Sequence, residues 1–147
     1  YEANLISQIC LVTNSGGVRY IEKDFPFLKD LITVKSGVSE EELKSLYKRS
    51  KLFLNTSVYE GLGLPNLEAI YLGTPVLCSD ISIFRAVLGV AGRYLSPEIS
   101  DTETNYEIVK GMLELDGSTR KKVWMEQQKA VARLLDFNKC YNAIIEL

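Results

Sequence analysis

Residues 57–76 read Ser-Val-Tyr-Glu-Gly-Leu-Gly-Leu-Pro-Asn-Leu-Glu-Ala-Ile-Tyr-Leu-Gly-Thr-Pro-Val, and this stretch decides the fold. The short apolar run at residues 51–55 that precedes it is typical of a buried strand ending at a sheet edge. Pro65 suits the first turn of a helix, because its missing N–H would have no intrahelical partner there and its φ is already helical. The pattern therefore predicts a strand followed by a helix that starts near Pro65.

The end of this helix is also marked in the sequence. Gly73 predicts a left-handed cap after Leu72, and the pair Thr74-Pro75 prevents continuation. Residues 76–79 return to an apolar run that predicts a second buried strand. A strand-helix-strand unit almost always joins parallel strands by a right-handed crossover, and its first loop opens at the carboxyl edge of the sheet, where ligands bind.

The loop between strand and helix has the composition of a ligand cradle. Gly61 and Gly63 lack a Cβ, so another molecule can approach the backbone closely. The N–H groups of residues 64–67, at the positive end of a helix dipole, suit a phosphate. Glu60 and Glu68 bracket that position, and each carboxylate can accept two hydrogen bonds from vicinal hydroxyls. Together these features predict a nucleotide-sugar site.

Ordinary structural explanations remain open at this point. A Gly-Leu-Gly sequence before a helix occurs in many turns. Glu68, counted in the first helical turn, would favour the macrodipole without any ligand, and Glu60 could be a solvated loop residue. Spacing alone does not separate these explanations from the ligand site.

The segment from Glu60 to residue 69, followed by Gly-Thr-Pro-Val at residues 73–76, closely resembles the E-x7-E signature of retaining glycosyltransferases of family 4, which have the GT-B fold. Both glutamates are in register. Flanking segments are also similar to the family pattern, and the resemblance extends from about Ile9 to the end of the chain. The flanking matches lie at residues 37–43, 46–47, 79–80 and 87–92, and in the segment around Phe137.

The resemblance implies an α/β fold, a doubly wound Rossmann-like three-layer sandwich with a mostly parallel sheet. Residues 1–147 would be the C-terminal nucleotide-sugar-binding domain of a GT-B enzyme, with the N-terminal acceptor domain absent from this chain. The implied reaction is transfer of a hexose from a nucleotide-diphosphate sugar to a glycan or lipid-linked acceptor, with retention of configuration. We expect the 147 residues alone to bind the donor weakly and to be inactive, because a cleft enzyme needs both walls.

The resemblance also assigns roles to individual residues. Glu60 would be catalytic, binding hydroxyls of the transferred sugar and stabilising the developing oxocarbenium charge, while Glu68 would bind the ribose. Backbone groups of Gly37 and Val38 would contact the base, although a plain connecting turn remains an equal alternative for both. The full set of implied donor-binding residues is Glu68, Gly61, Leu62, Gly63, Leu64, Asn66, Gly37, Val38 and Gly16.

The chain departs from the family pattern in two respects. Many family members carry a glutamate where this chain has Ala86. The Arg and Lys pair that holds the diphosphate in such enzymes is also missing, and would precede Tyr1. A start at Tyr1, without Met or a charged signal region, leads us to expect a piece of a longer protein.

Composition limits the possible functions. A chain with 46% apolar and 24% charged residues is ordinary globular protein, and a net charge of -2 gives no electrostatic case for nucleic acid. The one dense basic run, residues 120–122, is interpreted as a solvated helix face. No apolar stretch is long enough to span a bilayer. We expect a cytoplasmic protein, with peripheral membrane association only through the missing part.

Residue types that perform nucleophilic or metal chemistry are scarce. The sequence has no histidine, which excludes a Ser-His-Asp mechanism and histidine metal sites. Cys10 and Cys78 fall in predicted buried strands, and with Cys140 they show no metal-ligand spacing, so they are interpreted as reduced structural thiols. There is no D-x-D motif either. We therefore expect no metal and no cofactor, only the nucleotide sugar as substrate.

The remaining elements follow from periodicity and turn signals. A capping box of Ser39 and Glu42 is expected to open an amphipathic helix with Leu43, Leu46 and Tyr47 facing the core. Trp124 is expected to pack in the core with residues 123, 131 and 134 rather than to stack on bases. The predicted strands are 8–13, 31–35 and 93–95; the predicted loop is 14–17; the predicted helices are 24–30, 40–49, 81–87, 103–115, 119–135 and 138–147.

Two rival functions remain open. One is a non-catalytic nucleotide-sugar-binding subunit that works beside a separate acceptor-binding chain. The other is an interaction domain with a vestigial site, for which replacing Glu60 or Glu68 would change no ligand interaction. Exposed apolar residues in the last helix, at Phe137, Tyr141 or Ile145, would mark contact with an acceptor domain.

Overall fold

Strands and helices alternate along the chain in the computed structural model, which describes residues 8–134. All recorded strand pairs are parallel, and the prediction of an α/β fold is confirmed. The elements are β1 (Ile9–Val12), α1 (Ser15–Asp24), β2 (Ile32–Lys35), α2 (Glu40–Arg49), β3 (Phe53–Asn55), α3 (Leu64–Tyr71), β4 (Val76–Ser79), α4 (Ser82–Leu88), β5 (Tyr94–Leu95), α5 (Thr102–Glu114) and α6 (Gly117–Leu134). Short 3-10 turns lie at Pro26–Leu28, Gly89–Ala91 and Ile99–Asp101.

The chain divides into two compact units, one ending at Leu46 and the other beginning at Tyr47. In the first unit β1 pairs with β2, from Ile9 opposite Ile32 onward. The prediction that β1 is buried is wrong, and so is the prediction of a buried thiol at Cys10, which is exposed. Among the described residues β1 pairs only with β2, and a two-stranded sheet buries little of either strand.

The predicted loop at residues 14–17 is also wrong. Asn14 caps α1, because its Oδ1 accepts a hydrogen bond from the N–H of Gly17 at 2.9 Å. Ser15, Gly16 and Gly17 are the first three residues of this helix. Asn14 is a typical capping residue, but the two glycines that follow it have low helix propensity, and for this reason a loop was predicted here.

Helix α2 has the predicted bounds. The Ser39 Oγ accepts a hydrogen bond from the N–H of Glu42 at 3.2 Å, which confirms the capping interaction. Lys35, the last residue of β2, forms a 2.7 Å ion pair with the same Glu42. Tyr47 is buried, whereas Leu43 is only partly covered. The helix is thus tied to β2 at its start and buries an aromatic side chain near its end.

The second unit contains the buried core. Its three strands are ordered β3-β4-β5, and all four residues of the central strand β4 are buried. Strand β4 packs through Leu77 against Leu95, Met112 and Val123, so both long C-terminal helices cover this sheet. The predicted edge strand near residue 94 is confirmed as β5.

The end of α3 has the predicted left-handed cap. Gly73 has φ +97°, and its N–H donates to the carbonyl of Ile70 at 3.2 Å. The N–H of Thr74 donates to the carbonyl of Ala69 at 2.9 Å. These paired bonds form a Schellman motif, which stops the helix and directs the chain into β4.

Helix α6 starts two residues earlier than predicted. Asp116 causes this, since its Oδ1 accepts hydrogen bonds from the N–H groups of Ser118 at 2.7 Å and Thr119 at 3.0 Å. Hydrogen bonds from the Ser118 and Thr119 hydroxyls, and secondly these backbone bonds, hold the pKa of Asp116 well below its usual value. Asp116, which lies between the predicted helices 103–115 and 119–135, is therefore the cap of α6.

The buried face of α6 agrees with the sequence except at its end. Val123 and Val131 are buried, and the Trp124 indole donates to the carbonyl of Ile70 at 2.7 Å. Leu134 is 47% exposed, so its assignment to the core is wrong. The predicted helix at residues 138–147, with Phe137, Cys140, Tyr141 and Ile145, lies outside the described residues. None of the described helices is both long enough and apolar enough to cross a membrane.

Candidate functional site

Most of the residues assigned to the donor site lie at one edge of the sheet in the second unit. Strand β3 ends at Asn55 and α3 begins at Leu64, so the intervening loop starts at the carboxyl end of β3. Because β3 and β4 are parallel, the carboxyl end of β4 lies at the same edge. Ligands of parallel α/β sheets bind at this edge. Glu60, Gly61 and Gly63 thus lie in this loop, and Glu68 lies on the helix that follows it.

The two glycines of the loop are required for different reasons. Gly63 has φ +75° and immediately precedes α3, and a Cβ there would collide with the ring of Phe84. Phe84 is only 1% exposed and cannot easily move away. Gly61, by contrast, has no atom within 4 Å of where a Cβ would lie. Gly63 is therefore needed for folding, whereas the open space at Gly61 leaves its backbone accessible to a ligand.

Tyr47 is a partner of Glu68. Its hydroxyl donates to Oε2 of Glu68 at 3.4 Å, and its ring packs edge-on against Phe53 with centroids 5.2 Å apart. The Tyr47 carbonyl also accepts a 2.5 Å hydrogen bond from the hydroxyl of Thr74. Burial, and secondarily the Glu68 carboxylate, raises the pKa of Tyr47 to about 12. Tyr47 therefore stays a neutral donor that orients one oxygen of an otherwise exposed carboxylate.

The position of Glu68 in α3 argues against the alternative explanation that this glutamate only stabilises the helix dipole. Glu68 is the fifth residue of the helix, and the first turn contains no acidic residue. The expectation that Glu68 lies in the first turn is wrong, because the helix begins one residue before Pro65. Since macrodipole effects fall off beyond the first turn, helix stabilisation is a weak reason for a glutamate at this position.

The amino end of α3 offers fewer N–H donors than the sequence suggested. The prediction counted residues 64–67, but Pro65 has no N–H. The N–H of Asn66 already donates to the carbonyl of Gly63 at 2.9 Å. In a helix that begins at Leu64 the N–H of Leu67 points to the carbonyl of Gly63, so Leu64 is the residue of this group left as a donor to an anion, together with the positive end of the helix dipole.

Asn66 lies beneath the loop and not on its surface. Its side chain is 1% exposed, and its Oδ1 accepts a 2.9 Å hydrogen bond from Nδ2 of Asn55. Asn55 in turn accepts a 3.0 Å hydrogen bond from the N–H of Ser57 through its own Oδ1. These contacts connect the end of β3, the loop and the start of α3. Asn66 therefore supports the shape of the loop from below.

The surface around the loop is unusually apolar. Glu60 is partly exposed, and Tyr59 beside it is 90% exposed. Val58, Leu62 and Leu64 are also exposed. Exposed apolar groups clustered around a polar site are typical of a surface that is covered when a ligand or another domain binds.

Three of the assigned residues lie in the first unit. Gly37 has φ +64° with open space around its α-carbon, and with Val38 it leads into the start of α2. Gly16 lies in the first turn of α1 and not in a loop. The left-handed backbone of Gly37 gives a physical reason for glycine there.

Sequence reasoning missed an ion pair at the carboxyl end of β4. Asp80 follows the strand directly, and its oxygens accept hydrogen bonds from Nε of Arg85 at 2.5 Å and from the adjacent terminal nitrogen at 2.6 Å. Hydrogen bonding to Arg85 lowers the pKa of Asp80. Arg85 also stacks on the ring of Tyr94, 4.3 Å from its centroid. Ala86, where many family members carry a glutamate, is exposed next to this pair.

In residues 8–134 there is no group of three His, Cys, Asp or Glu side chains that could hold a metal ion. The roles of Tyr47 and Asn55 at this site were not predicted from the sequence. They depend on contacts with Glu68 and Asn66, which are distant from them in sequence.

Curated relatives match slightly less than half of this chain. One is the O-antigen chain mannosyltransferase RfbU of Salmonella typhimurium, 41% identical over 71 residues, which are 48% of this chain and 20% of that protein. Another is O-antigen chain mannosyltransferase B of Escherichia coli, 42% identical over 64 residues, 44% of this chain and 17% of that protein. A third, the MMP alpha-(1->4)-mannosyltransferase of Mycolicibacterium hassiacum, is 35% identical over 65 residues, 44% of this chain and 16% of that protein.

Comparison with solved structures supports the same fold. Sucrose-phosphate synthase from Thermosynechococcus elongatus matches with a TM-score of 0.67 and 18% identity, covering 93% of this chain and 38% of that one. This likeness confirms the predicted Rossmann-like fold of GT-B type. The chain matches only about a fifth or less of the length of the three mannosyltransferases. The family described as "Glycosyl transferases group 1" matches residues 27–123, more than half of the sequence, and the chain belongs to this family.

Proposed function

We propose that this chain is the donor-binding domain of a retaining glycosyltransferase that transfers a hexose from a nucleotide-diphosphate sugar to a glycan or lipid-linked acceptor. One observation carries the proposal. Glu60 and Glu68 flank the amino end of α3 at the carboxyl edge of a parallel sheet, where the backbone of Gly61 is open to a ligand.

Each part of the site matches one part of such a donor. The carboxylate of Glu68, held by Tyr47, binds the ribose hydroxyls. The N–H of Leu64 and the positive end of the α3 dipole bind the diphosphate. Glu60 binds hydroxyls of the transferred sugar and stabilises positive charge that develops on its ring as the bond to the diphosphate breaks.

The base and the acceptor involve other parts of the protein. The backbone of Gly37 and Val38 contacts the base in this proposal, and Gly16 is a further donor-binding residue. The leaving diphosphate needs its growing charge neutralised, and a helix amino end does part of this without a metal ion. The acceptor and further basic groups belong to a domain outside these 147 residues, so we expect no transfer by this chain alone.

Mannose is the sugar we propose. The three relatives described above are all named mannosyltransferases, and two are named for the O-antigen chain. A mannose-containing polysaccharide is therefore the product class that we propose for the parent protein.

Calorimetric titration of the purified chain with GDP-mannose, UDP-glucose and ADP-glucose tests the donor site. We expect one donor to bind, and Glu68→Gln to weaken its affinity by about tenfold or more, because the carboxylate makes charge-assisted hydrogen bonds. Glu107→Gln is the matched control, since Glu107 is exposed on α5. Equal donor affinity for the two variants would contradict the proposed role of Glu68.

A further inference from the structure

A basic groove of about 390 Å³ opens on the second unit at the edge opposite the donor site. Ser50 and Lys51, which precede β3, and Pro75, which precedes β4, are among the residues that line it. The loop with Glu60 follows β3, so it lies at the carboxyl end of the same strand. The groove is therefore separate from the residues assigned to the nucleotide sugar.

The charge of the groove is of one sign. Arg49, Lys51, Arg120 and Lys121 line it, and none of the other described residues that line it is acidic. The whole chain, by contrast, has a net charge of -2. Asp116 lies close in sequence, but its two oxygens accept hydrogen bonds from the backbone and side chains at the start of α6. Positive charge is thus concentrated in this groove, although the chain as a whole has a negative net charge.

Helix stability does not explain all of these cations. Arg49 is the last residue of α2, where a positive charge interacts favourably with the helix dipole. Arg120 and Lys121 are the fourth and fifth residues of α6, near the positive end of that dipole, and the first turn of α6 has no acidic residue. Asp116 already supplies an anion at this end, and the effect of the dipole is small by the fifth residue, so helix stability gives Lys121 no role.

Part of the groove is held rigidly. A terminal nitrogen of Arg120 donates to the carbonyls of Leu115 at 2.5 Å and Leu113 at 3.3 Å. Its Nε is buried and has no partner among the described residues. The Trp124 ring forms an aromatic wall, fixed by the hydrogen bond of its indole to the carbonyl of Ile70. An incoming anion would therefore meet a preformed cationic surface.

The two lysines that line the groove are available to a ligand. None of the ion pairs between described residues includes Lys51 or Lys121. Both side chains are exposed. Ammonium groups on flexible stems bind phosphate as point charges and add to the charge of a fixed arginine.

We propose that this groove binds a phosphate-bearing anion, either a free phosphate compound or the phosphate of a lipid headgroup. Arg120 provides the fixed cationic centre, and Lys51 and Lys121, on two different segments of the chain, add flexible positive charges to it. The positive charge of the lining provides the affinity for the anion. Because these charges are exposed, we expect this affinity to fall as the salt concentration rises.

Trp124 is the only tryptophan in the sequence, so its fluorescence reports on the groove directly. The chain is titrated with sodium phosphate, with sodium chloride at equal ionic strength, and with phosphatidylcholine vesicles containing or lacking phosphatidylglycerol. The test variant is Lys51→Gln/Lys121→Gln, and Lys29→Gln/Lys129→Gln is a control with the same change in charge at exposed positions away from the groove.

We expect a saturable fluorescence change that is weakened about tenfold or more in the groove variant and unchanged in the control variant. Saturation with sodium phosphate would identify a free phosphate compound as the occupant. Saturation only with vesicles that contain phosphatidylglycerol would identify a lipid headgroup. The proposal is overturned if neither probe gives a saturable change, if chloride gives the same change, or if both variants titrate alike.

Discussion

The hydroxyl of Tyr47 donates a hydrogen bond to Oε2 of Glu68 at a distance of 3.4 Å, and this contact joins the last turn of α2 to the middle of α3. The Tyr47 backbone is tied to Thr74 at the same time. The carboxylate that we assign to the donor ribose is therefore oriented by a buried residue that precedes the strand-helix-strand unit.

Removing only the Tyr47 hydroxyl tests this arrangement. Tyr47→Phe keeps the ring that packs on Phe53, so we expect little loss of stability. Donor affinity should fall about two- to tenfold, because one hydrogen bond of moderate length orients Glu68. Calorimetry of Tyr47→Phe, Glu68→Gln and the double variant checks this. Additive losses would show that Tyr47 does not act through Glu68.

Gly63 should tolerate no side chain. Gly63→Ala introduces a Cβ at φ +75° and against the ring of Phe84, so we expect it to destabilise the chain by about 2–4 kcal/mol. Gly61→Ala is the control, since its Cβ would meet no atom and the free energy of unfolding should change by about 0.5 kcal/mol or less. Urea unfolding measures both.

The variants Gly63→Ala and Gly61→Ala also distinguish an effect on folding from an effect on donor binding. We expect Gly61→Ala to weaken donor binding while the chain stays folded, because its Cβ would occupy space that the ligand approaches. A Gly61→Ala variant with unchanged donor affinity would show that the ligand does not contact this part of the loop.

The strand-helix-strand unit could be predicted because its signals are local. Pro65 and Gly73 mark the two ends of α3 through backbone geometry that each residue determines by itself. Asn66 could not be placed correctly, because its burial depends on Asn55 across the loop. Cys10 was misjudged for a similar reason: an apolar strand is buried only if other elements cover it.

Gln127 illustrates a role that sequence periodicity does not reveal. Its side chain is fully buried, and its amide donates to the carbonyl of Val76 at 2.7 Å and accepts from the N–H of the same residue at 2.9 Å. Gln127→Leu leaves both backbone groups without partners, so we expect a loss of about 2–5 kcal/mol. Gln128→Leu changes an exposed neighbour and should be nearly neutral. Equal unfolding midpoints for the two variants would contradict this role.

Stability should fall at alkaline pH. Burial raises the pKa of Tyr47 from 10.0 and that of Cys78 from 9.0, in each case to about 12. The folded state thus favours the neutral forms of both side chains. Their contribution to the free energy of unfolding is complete below the pKa values of the unfolded chain, and it is lost as the pH rises toward 12.

Thermal unfolding at about pH 8 and about pH 11 measures this loss. We expect Cys78→Ala to reduce the difference between the two midpoints, although the variant is less stable at both. Cys10→Ala removes an exposed thiol and should leave the difference unchanged. If Cys78→Ala preserves the full difference, ionisation of this thiol does not contribute to alkaline unfolding.

The buried pair of Asn55 and Asn66 should behave as one energetic unit. Nδ2 of Asn55 donates to Oδ1 of Asn66, so Asn66→Ala leaves a buried donor unsatisfied and should cost about 1–3 kcal/mol. Asn55→Ala should cost more, because the N–H of Ser57 also loses its acceptor. Urea unfolding of both single variants and the double variant gives their coupling, which we expect to be at least about 0.5 kcal/mol. Additive losses would show that the hydrogen bond contributes nothing. A measured coupling, together with weaker donor binding in Asn66→Ala, would show that the pair shapes the loop from beneath while the ligand contacts its outer surface.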